Sequence, residues 1–169
     1  DFRIESDNQL HAFFVNGGDN KVSLNDSAPD TDAGGLCLNQ GSNDSKIFTM
    51  KSEDIAHGIT GHAETDTYGF IRKSIAAQGG LYIAGLTEYT VGLQLDATCD
   101  NSSVQNAEAT SAFGCMSANS SMKDSANRQA MGADDNIFTL ENNSLVQVIF
   151  KGDGEIFSNQ TATVGTYDE

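Results

Sequence analysis

The sequence has few basic residues and no long apolar run, and each shortage excludes a class of partner. Only nine Lys and Arg stand against 24 Asp and Glu, which gives a formal net charge of -15 at pH 7. Binding to nucleic-acid phosphates needs clustered Lys and Arg, whereas the basic residues here are scattered. No apolar run approaches the roughly 20 residues of a membrane-spanning helix. We therefore expect neither nucleic acid nor a membrane among the partners of this protein.

The sequence also lacks the motifs that mark common catalytic and nucleotide-binding sites. It contains no Gly-x-Ser-x-Gly nucleophile elbow and no His-Glu-x-x-His zinc motif. Lys151-Gly152-Asp153-Gly154 is glycine-rich, but no Gly-Lys-Ser/Thr follows it, so it is not a phosphate-binding loop. We therefore predict no catalytic or cofactor-binding residues and expect that the chain is not an enzyme.

The composition, with no Trp, a single Pro and 38% hydrophobic residues, favours strands and loops over long helices. The abundant Asn, Asp, Ser and Thr compete for backbone hydrogen bonds and so disfavour helix interiors. Recurrent runs of Ile, Val, Leu and Phe argue against disorder. The 169 residues therefore predict one all-β domain, residues 1–169, built as an antiparallel β-sandwich or jelly-roll-like barrel with long polar loops.

The clearest structural pattern is a three-stranded meander between Asp134 and Phe157. Its apolar runs are Ile137 to Leu140, Leu145 to Phe150, and Ile156 with Phe157. The runs are separated by Asn142-Asn143-Ser144 and Lys151-Gly152-Asp153-Gly154, and Asn, Asp and Gly tolerate the positive φ of tight hairpin turns. Within the meander, the best candidates for core or interface are Leu145, Val146, Val148, Ile149 and Phe150.

The middle of the chain gives one clean strand pattern followed by an ambiguous region. Thr90 to Ala97 alternates, with Val91, Leu93 and Leu95 on one face, and predicts a strand. Residues 100–133 form a polar excursion with few apolar residues. Within it, a strand around Ala112 to Ser117 and a short helix over Ser121 to Met131 are alternative predictions.

One compact group of residues could support metal or acid-base chemistry: His57, His62, Glu53, Asp54, Glu64 and Asp66. Gly58 and Gly61 prevent the two histidines from sharing a helical face. A polar loop with hydrogen-bonded histidines is the favoured interpretation, and a small hydrolase that uses His57 is an alternative.

Acidic loops suggest a second kind of site, because Ca²⁺ takes six to eight oxygen ligands from carboxylates, carbonyls and water. The candidate ligands are Asp26, Asp30 and Asp32, then Asp134 and Asp135, then Asp153 and Glu155. None of these loops matches the EF-hand pattern. Solvated turns are the favoured interpretation, loop-bound Ca²⁺ is the alternative, and the sequence assigns no metal ligand.

The three cysteines are Cys37, Cys99 and Cys115. An odd number without a Cys-x-x-Cys pair argues against a dense disulfide framework or a zinc site. A bridge between Cys99 and Cys115 would close a polar loop and stabilise the fold by about 3 kcal/mol in the loop-entropy model. Free or buried thiols are the alternative interpretation.

Two parts of the chain resemble tailed-phage virion proteins. Val148 to Asn159 resembles their hairpin, in which an apolar strand ends in Phe, a Gly-Asp-Gly turn follows and a second strand returns. The Ile-Ala-His-Gly-Ile-Thr stretch at 55–60 and the Gly-Gly-Leu strand at 79–81 also resemble uncharacterised phage-like proteins. The resemblance implies a β-rich, non-enzymatic virion component, commonly trimeric, on the capsid surface or in the tail, with other virion proteins as partners.

These observations predict a structural virion protein, of capsid-surface, decoration or fibre type, that self-assembles as a homo-oligomer and most simply a trimer. An extracellular Ca²⁺-dependent binding module and a cell-surface filament subunit that donates a terminal strand are alternatives. We expect localisation in the virion, with the extracellular space or cell surface as the alternative. The chain begins at Asp1 without Met or a signal-like segment, which fits either a removed leader or a start elsewhere.

Overall fold

A computed structural model of the chain describes residues 2–7, 9–102 and 104–159. Within these residues the chain forms twelve strands and no helix, so the all-β prediction is confirmed. Backbone contacts divide the chain into two compact units, Asp1–Leu95 and Asp96–Glu169, and each is described below by itself. The single domain predicted above therefore stays a prediction.

The first unit begins with a four-stranded sheet. Its strands are β1 (Phe2–Ser6), β2 (Gln9–Asn16), β3 (Lys21–Leu24) and β4 (Leu36–Leu38), in that spatial order. β1, β2 and β3 pair antiparallel, whereas β4 lies parallel to β3. The turn between β2 and β3 forms because the Asn16 side chain accepts a 2.9 Å hydrogen bond from the Gly18 backbone N–H.

The first unit also contains a three-stranded antiparallel sheet. Its strands are β5 (Lys46–Lys51), β6 (Thr67–Ile75) and β7 (Gly79–Gly85), with β6 in the middle. The 15 residues between β5 and β6 form the loop that carries both candidate histidines, His57 and His62. The turn from β6 to β7 uses Gly79 and Gly80 at φ of 83° and 77°, a conformation that glycine adopts without steric cost.

The interior of the first unit is small. Phe70 on β6 is only 2% exposed, and its ring stacks on that of Tyr82 with the centroids 5.8 Å apart. The Lys46 ammonium lies over the same ring, 4.8 Å from its centroid, and makes a cation–π contact with it. Among the described residues, the only other buried apolar side chain is Ala63, so very little apolar surface is removed from water.

The second unit contains a short hairpin and the predicted meander. The hairpin pairs β8 (Met122–Asp124) with β9 (Asn127–Gln129), and the meander consists of β10 (Asn136–Asn142), β11 (Leu145–Lys151) and β12 (Ile156–Ser158). Asn143 and Ser144 join β10 to β11 at φ of 48° and 65°. Two consecutive positive φ values are typical of the primed turn that fits the twist of a hairpin. The three strands and the first turn are confirmed.

The second turn of the meander is also as predicted. The Gly154 N–H donates a 3.0 Å hydrogen bond to the Lys151 carbonyl, and the Lys151 N–H donates a 2.9 Å bond to the Glu155 carbonyl. Gly154 has a φ of 93°, which a residue with a Cβ rarely adopts. Gly152-Asp153-Gly154 is therefore a hairpin turn.

The strand predicted over Thr90 to Ala97 is wrong. No part of this segment pairs with a neighbouring strand in the described chain, and Val91, Leu93 and Leu95 are all exposed. The Gly92 carbonyl oxygen lies where a Cβ of Gly85 would stand, which brings the two backbones too close for a regular ladder. Alternation creates a face, but a strand also needs a hydrogen-bonded neighbour.

Both alternatives for the polar excursion are wrong. The residues from Ala112 to Ser117 form no strand, and the proposed helix over Ser121 to Met131 is replaced by the β8–β9 hairpin. Ser125, at a φ of 52°, forms the two-residue turn with Ala126 and so prevents a helix at this point. No sheet closes on itself among the described residues, so the sandwich or barrel stays a prediction. The polar sequence of 160–169 predicts an extended end of the chain, and these residues lie outside the described ones.

Candidate functional site

His57 is a structural histidine in the loop between β5 and β6. Its side chain is 2% exposed, and its Nε2 lies 2.7 Å from the Thr67 carbonyl oxygen. The Ile59 N–H donates a 3.2 Å hydrogen bond to Nδ1, so Nδ1 is the acceptor and Nε2 carries the proton that Thr67 receives. Both ring nitrogens are thus occupied by the protein itself.

The remaining members of the histidine cluster do not join His57. His62 is exposed and lines a different surface depression, beside Glu64 and Thr65. Glu64 and Asp66 instead pair with the Lys51 ammonium, and their hydrogen bonds raise the pKa of Lys51. Glu53 and Asp54 are exposed in a turn, where the Ser52 hydroxyl bonds the Asp54 carboxylate. The arrangement holds a loop together and does not converge on a shared point.

Replacing His57 with Leu should therefore lower the stability of the first unit. The change leaves the buried Thr67 carbonyl without this partner, at a cost of about 1–3 kcal/mol, and the half-buried Ile59 N–H loses its acceptor. Chemical denaturation would measure the loss. His62→Leu is the matched control, and because His62 is exposed we expect a change within about 0.5 kcal/mol. Equal stabilities of the two variants would contradict the structural role of His57.

The first acidic loop uses its carboxylate to organise the chain between β3 and β4. Asp26 Oδ1 accepts a 2.8 Å hydrogen bond from the Ala28 N–H, and Oδ2 accepts a 2.9 Å bond from Asn39 Nδ2. The Cys37 thiol also points to Oδ2, at 3.8 Å. Burial, Asp26 and Asp30 together raise the pKa of Cys37. Asp26 thus serves protein donors on both of its oxygens.

Two of the acidic residues near the meander, Asp135 and Asp153, use a carboxylate oxygen in the same way. Asp135 Oδ2 accepts a 2.7 Å hydrogen bond from the Gly132 N–H, and Asp153 Oδ1 accepts a 3.0 Å bond from the Glu155 N–H. The Asp134 carbonyl accepts a bond of 2.5 Å from the Lys151 ammonium. Across residues 2–7, 9–102 and 104–159, no group of three or more His, Cys, Asp or Glu is placed to hold a metal ion.

The feature with the strongest functional content is an apolar sheet face in the meander. Directly paired residues of neighbouring strands point to the same side of a sheet. Phe138 pairs with Phe150 and Phe150 with Ile156, while Leu140 pairs with Val148, so these five side chains share one side. We call this surface the apolar face. Its Phe138 and Phe150 rings contact each other with centroids 5.6 Å apart.

The apolar face is open to solvent in the isolated chain. Phe138 is 48% exposed, Leu140 49% and Ile156 63%. No described residue of the second unit is buried, so the meander has no core of its own on either side. The sequence identified Val148 and Phe150 as candidates, but it placed them in a single run with Leu145, Val146 and Ile149. Phe138, Leu140 and Ile156 were missed as members of the face because membership depends on strand register.

Comparisons with protein families, curated proteins and solved structures found no match to this chain. In the described part of the chain, no helix is long and apolar enough to cross a membrane.

Proposed function

We propose that this protein is a structural protein that assembles with copies of itself through the apolar face. The observation that carries the proposal is the exposure of Phe138, Leu140 and Ile156 on one side of an otherwise regular sheet. A contiguous apolar surface that a single chain leaves in water is typical of a protein interface. A second copy is the proposed occupant, because a sheet side built from apolar pairs is complementary to the same side of an identical chain.

The apolar face is the part of the meander on which two copies of this acidic chain could meet. The chain carries a net charge of -15, so two copies repel each other at long range, and contact requires a surface without carboxylates. The apolar face contains no charged side chain. Across the three strands, Phe150 lies between Phe138 and Ile156, and Val148 lies between Leu140 and Ser158. Burial of such a face contributes about 25 cal/mol for each Å² removed from water.

The type of assembly is proposed from the resemblance to tailed-phage virion proteins. The hairpin from Val148 to Asn159 is the segment that carries this resemblance, and it consists of a strand, the turn at Gly152-Asp153-Gly154 and a returning strand. We propose a capsid-surface, decoration or fibre component of a virion, assembled as a homo-oligomer and most simply as a trimer. No catalytic step belongs to this function.

Replacing Ile156 with Lys should dissociate the assembly and leave the protomer folded. Ile156 is 63% exposed in the isolated chain, so the ammonium costs little there, but in an interface it would be buried. The loss of one buried Ile, about 1.5–3 kcal/mol, weakens association at least tenfold. Native mass spectrometry at micromolar concentration should show oligomers of the wild type and monomers of the variant.

The matched control is Phe157→Lys, one residue further along the same strand. Phe157 pairs with Ile149 and therefore points to the opposite side of the sheet. We expect this variant to assemble like the wild type. A wild type that is monomeric at all concentrations would contradict self-assembly, and equal weakening by both substitutions would contradict the choice of face. Electron microscopy of the assembled particle would test the virion-like architecture.

A further inference from the structure

Two of the three cysteines lie in the same region of the second unit. The Cys115 Sγ donates a 3.2 Å hydrogen bond to the carbonyl oxygen of Ala97, two residues before Cys99. Cys99 is also close enough to raise the pKa of Cys115. Both thiols are free and exposed in the structure.

We propose that Cys99 and Cys115 form an intrachain disulfide when the protein meets a small-molecule disulfide such as oxidised glutathione. The bond closes the loop over residues 99–115. It is an oxidative modification site, separate from the apolar face and independent of the assembly that the face supports.

The backbone around the two cysteines can supply the small movement that bond formation needs. The described residues from 86 to 121 belong to no strand or helix, so the approach of the sulfur atoms breaks no ladder of hydrogen bonds. A disulfide requires Cα atoms about 4.4–6.8 Å apart. Because Cys115 Sγ already lies 3.2 Å from the backbone two residues before Cys99, side-chain rotation and a shift of the loop can bring the two sulfur atoms to this geometry.

The reaction proceeds by two thiol–disulfide exchanges. One thiol loses its proton to water, and its thiolate attacks a sulfur of glutathione disulfide, which forms a mixed disulfide and releases one glutathione thiolate. The second cysteine, as thiolate, attacks the protein sulfur of the mixed disulfide and releases the other glutathione. The protein loses two hydrogen atoms and two electrons, and glutathione disulfide is reduced to two glutathione molecules.

The local chemistry makes the reaction dependent on pH. The hydrogen bond with Cys99, followed by burial, raises the pKa of Cys115, which keeps this thiol protonated at neutral pH. Since the thiolate is the nucleophile, bond formation should become faster as the pH rises. Cys37 supplies an internal comparison, because its thiol faces Asp26 in the other unit and is only partly exposed.

Digestion with a Glu-specific protease identifies the bond. Glu108 is the only Glu between Glu88 and Glu141, so cleavage after it separates a fragment with Cys99 from a fragment with Cys115. After treatment of the full chain with oxidised glutathione, we expect these two fragments to stay joined until a reductant is added. We also expect one remaining maleimide-reactive thiol, Cys37, and a melting temperature higher by roughly 5–15 °C than in the reduced protein.

The controls are Cys99→Ser, Cys115→Ser and Cys37→Ser. The first two should abolish both the joined fragments and the rise in melting temperature, whereas Cys37→Ser should retain both. Stable mixed disulfides with glutathione on both cysteines, or disulfides between chains in place of the joined fragments, would overturn the proposal. Because the readout is the bond itself, a monomeric wild type would leave this result unaffected.

Discussion

Gly152→Ala should destabilise the second unit by about 3 kcal/mol or more, at the upper end of the cost of overpacking. A Cβ on Gly152 would lie 2.0 Å from the Gly132 carbonyl oxygen and 2.9 Å from the Gly132 carbonyl carbon. These atoms belong to the backbone, so no side-chain rotation can relieve the contact. Either the turn that contains Gly152 or the turn that contains Gly132 must therefore move.

The contact at Gly152 joins two turns that support the meander. The Gly152 N–H donates a 3.0 Å hydrogen bond to the Asp135 carbonyl, and the Asp153 N–H donates a 3.3 Å bond to the Ala133 carbonyl. Separation of the turns would lose both bonds. Hydrogen exchange should show loss of protection at the Gly152 and Asp153 amides, together with a lower melting temperature.

Gly154→Ala is the matched control in the same turn. A Cβ there meets no atom within 4 Å, but the φ of 93° strains any residue that carries one. We expect a cost of about 1–2 kcal/mol from that strain, with the amides of Gly152 and Asp153 still protected. If Gly154→Ala were the more destabilising change, the positive φ at Gly154 would matter more for the stability of this turn than the close approach of Gly152 to Gly132.

The structure shows which parts of the meander were predictable from sequence. Turn chemistry is local, and Asn143, Ser144 and Gly154 occupy the positive φ values that their residue types suggest. Strand register was not predictable in the same way. A regular ladder from the two-residue turn would place Leu140 opposite Gln147, but the bulge after Leu140 places it opposite Val148. That shift aligns Phe138 with Phe150 and creates the apolar face.

The candidate ligands in the loops illustrate a different limit. Composition correctly drew attention to His57 and Asp26, because such residues are polar and close to other polar groups in sequence. Their partners, however, are the backbone groups of Thr67 and Ala28 and the side chain of Asn39. No motif encodes these partners, since they depend on where the backbone of each loop folds back. A Cys99–Cys115 pair was suggested by spacing alone, and the structure adds the hydrogen bond that holds Cys115 beside the backbone at Ala97.

Gly85→Ala should destabilise the first unit as strongly as Gly152→Ala destabilises the second. A Cβ on Gly85 would lie 1.7 Å from the Gly92 carbonyl oxygen and 2.7 Å from its carbonyl carbon. Gly85 also pairs with Gly69 at the end of β7, so a movement of Gly85 away from Gly92 would disturb its pairing with β6. We expect a loss of about 3 kcal/mol or more, measured by chemical denaturation.

A Cβ would be much more crowded on Gly85 than on Gly92, so substitution of Gly92 is a control for substitution of Gly85. A Cβ on Gly92 would lie 3.2 Å from the Gly85 carbonyl oxygen, so a shift of a few tenths of an ångström accommodates it. Gly92→Ala should therefore cost less than about 1 kcal/mol, and Gly61→Ala, where a Cβ meets open space, should be close to neutral. Comparable losses at Gly85 and Gly92 would contradict the contact. A large loss at Gly85 alone would support the close approach of the Gly92 backbone to the end of β7.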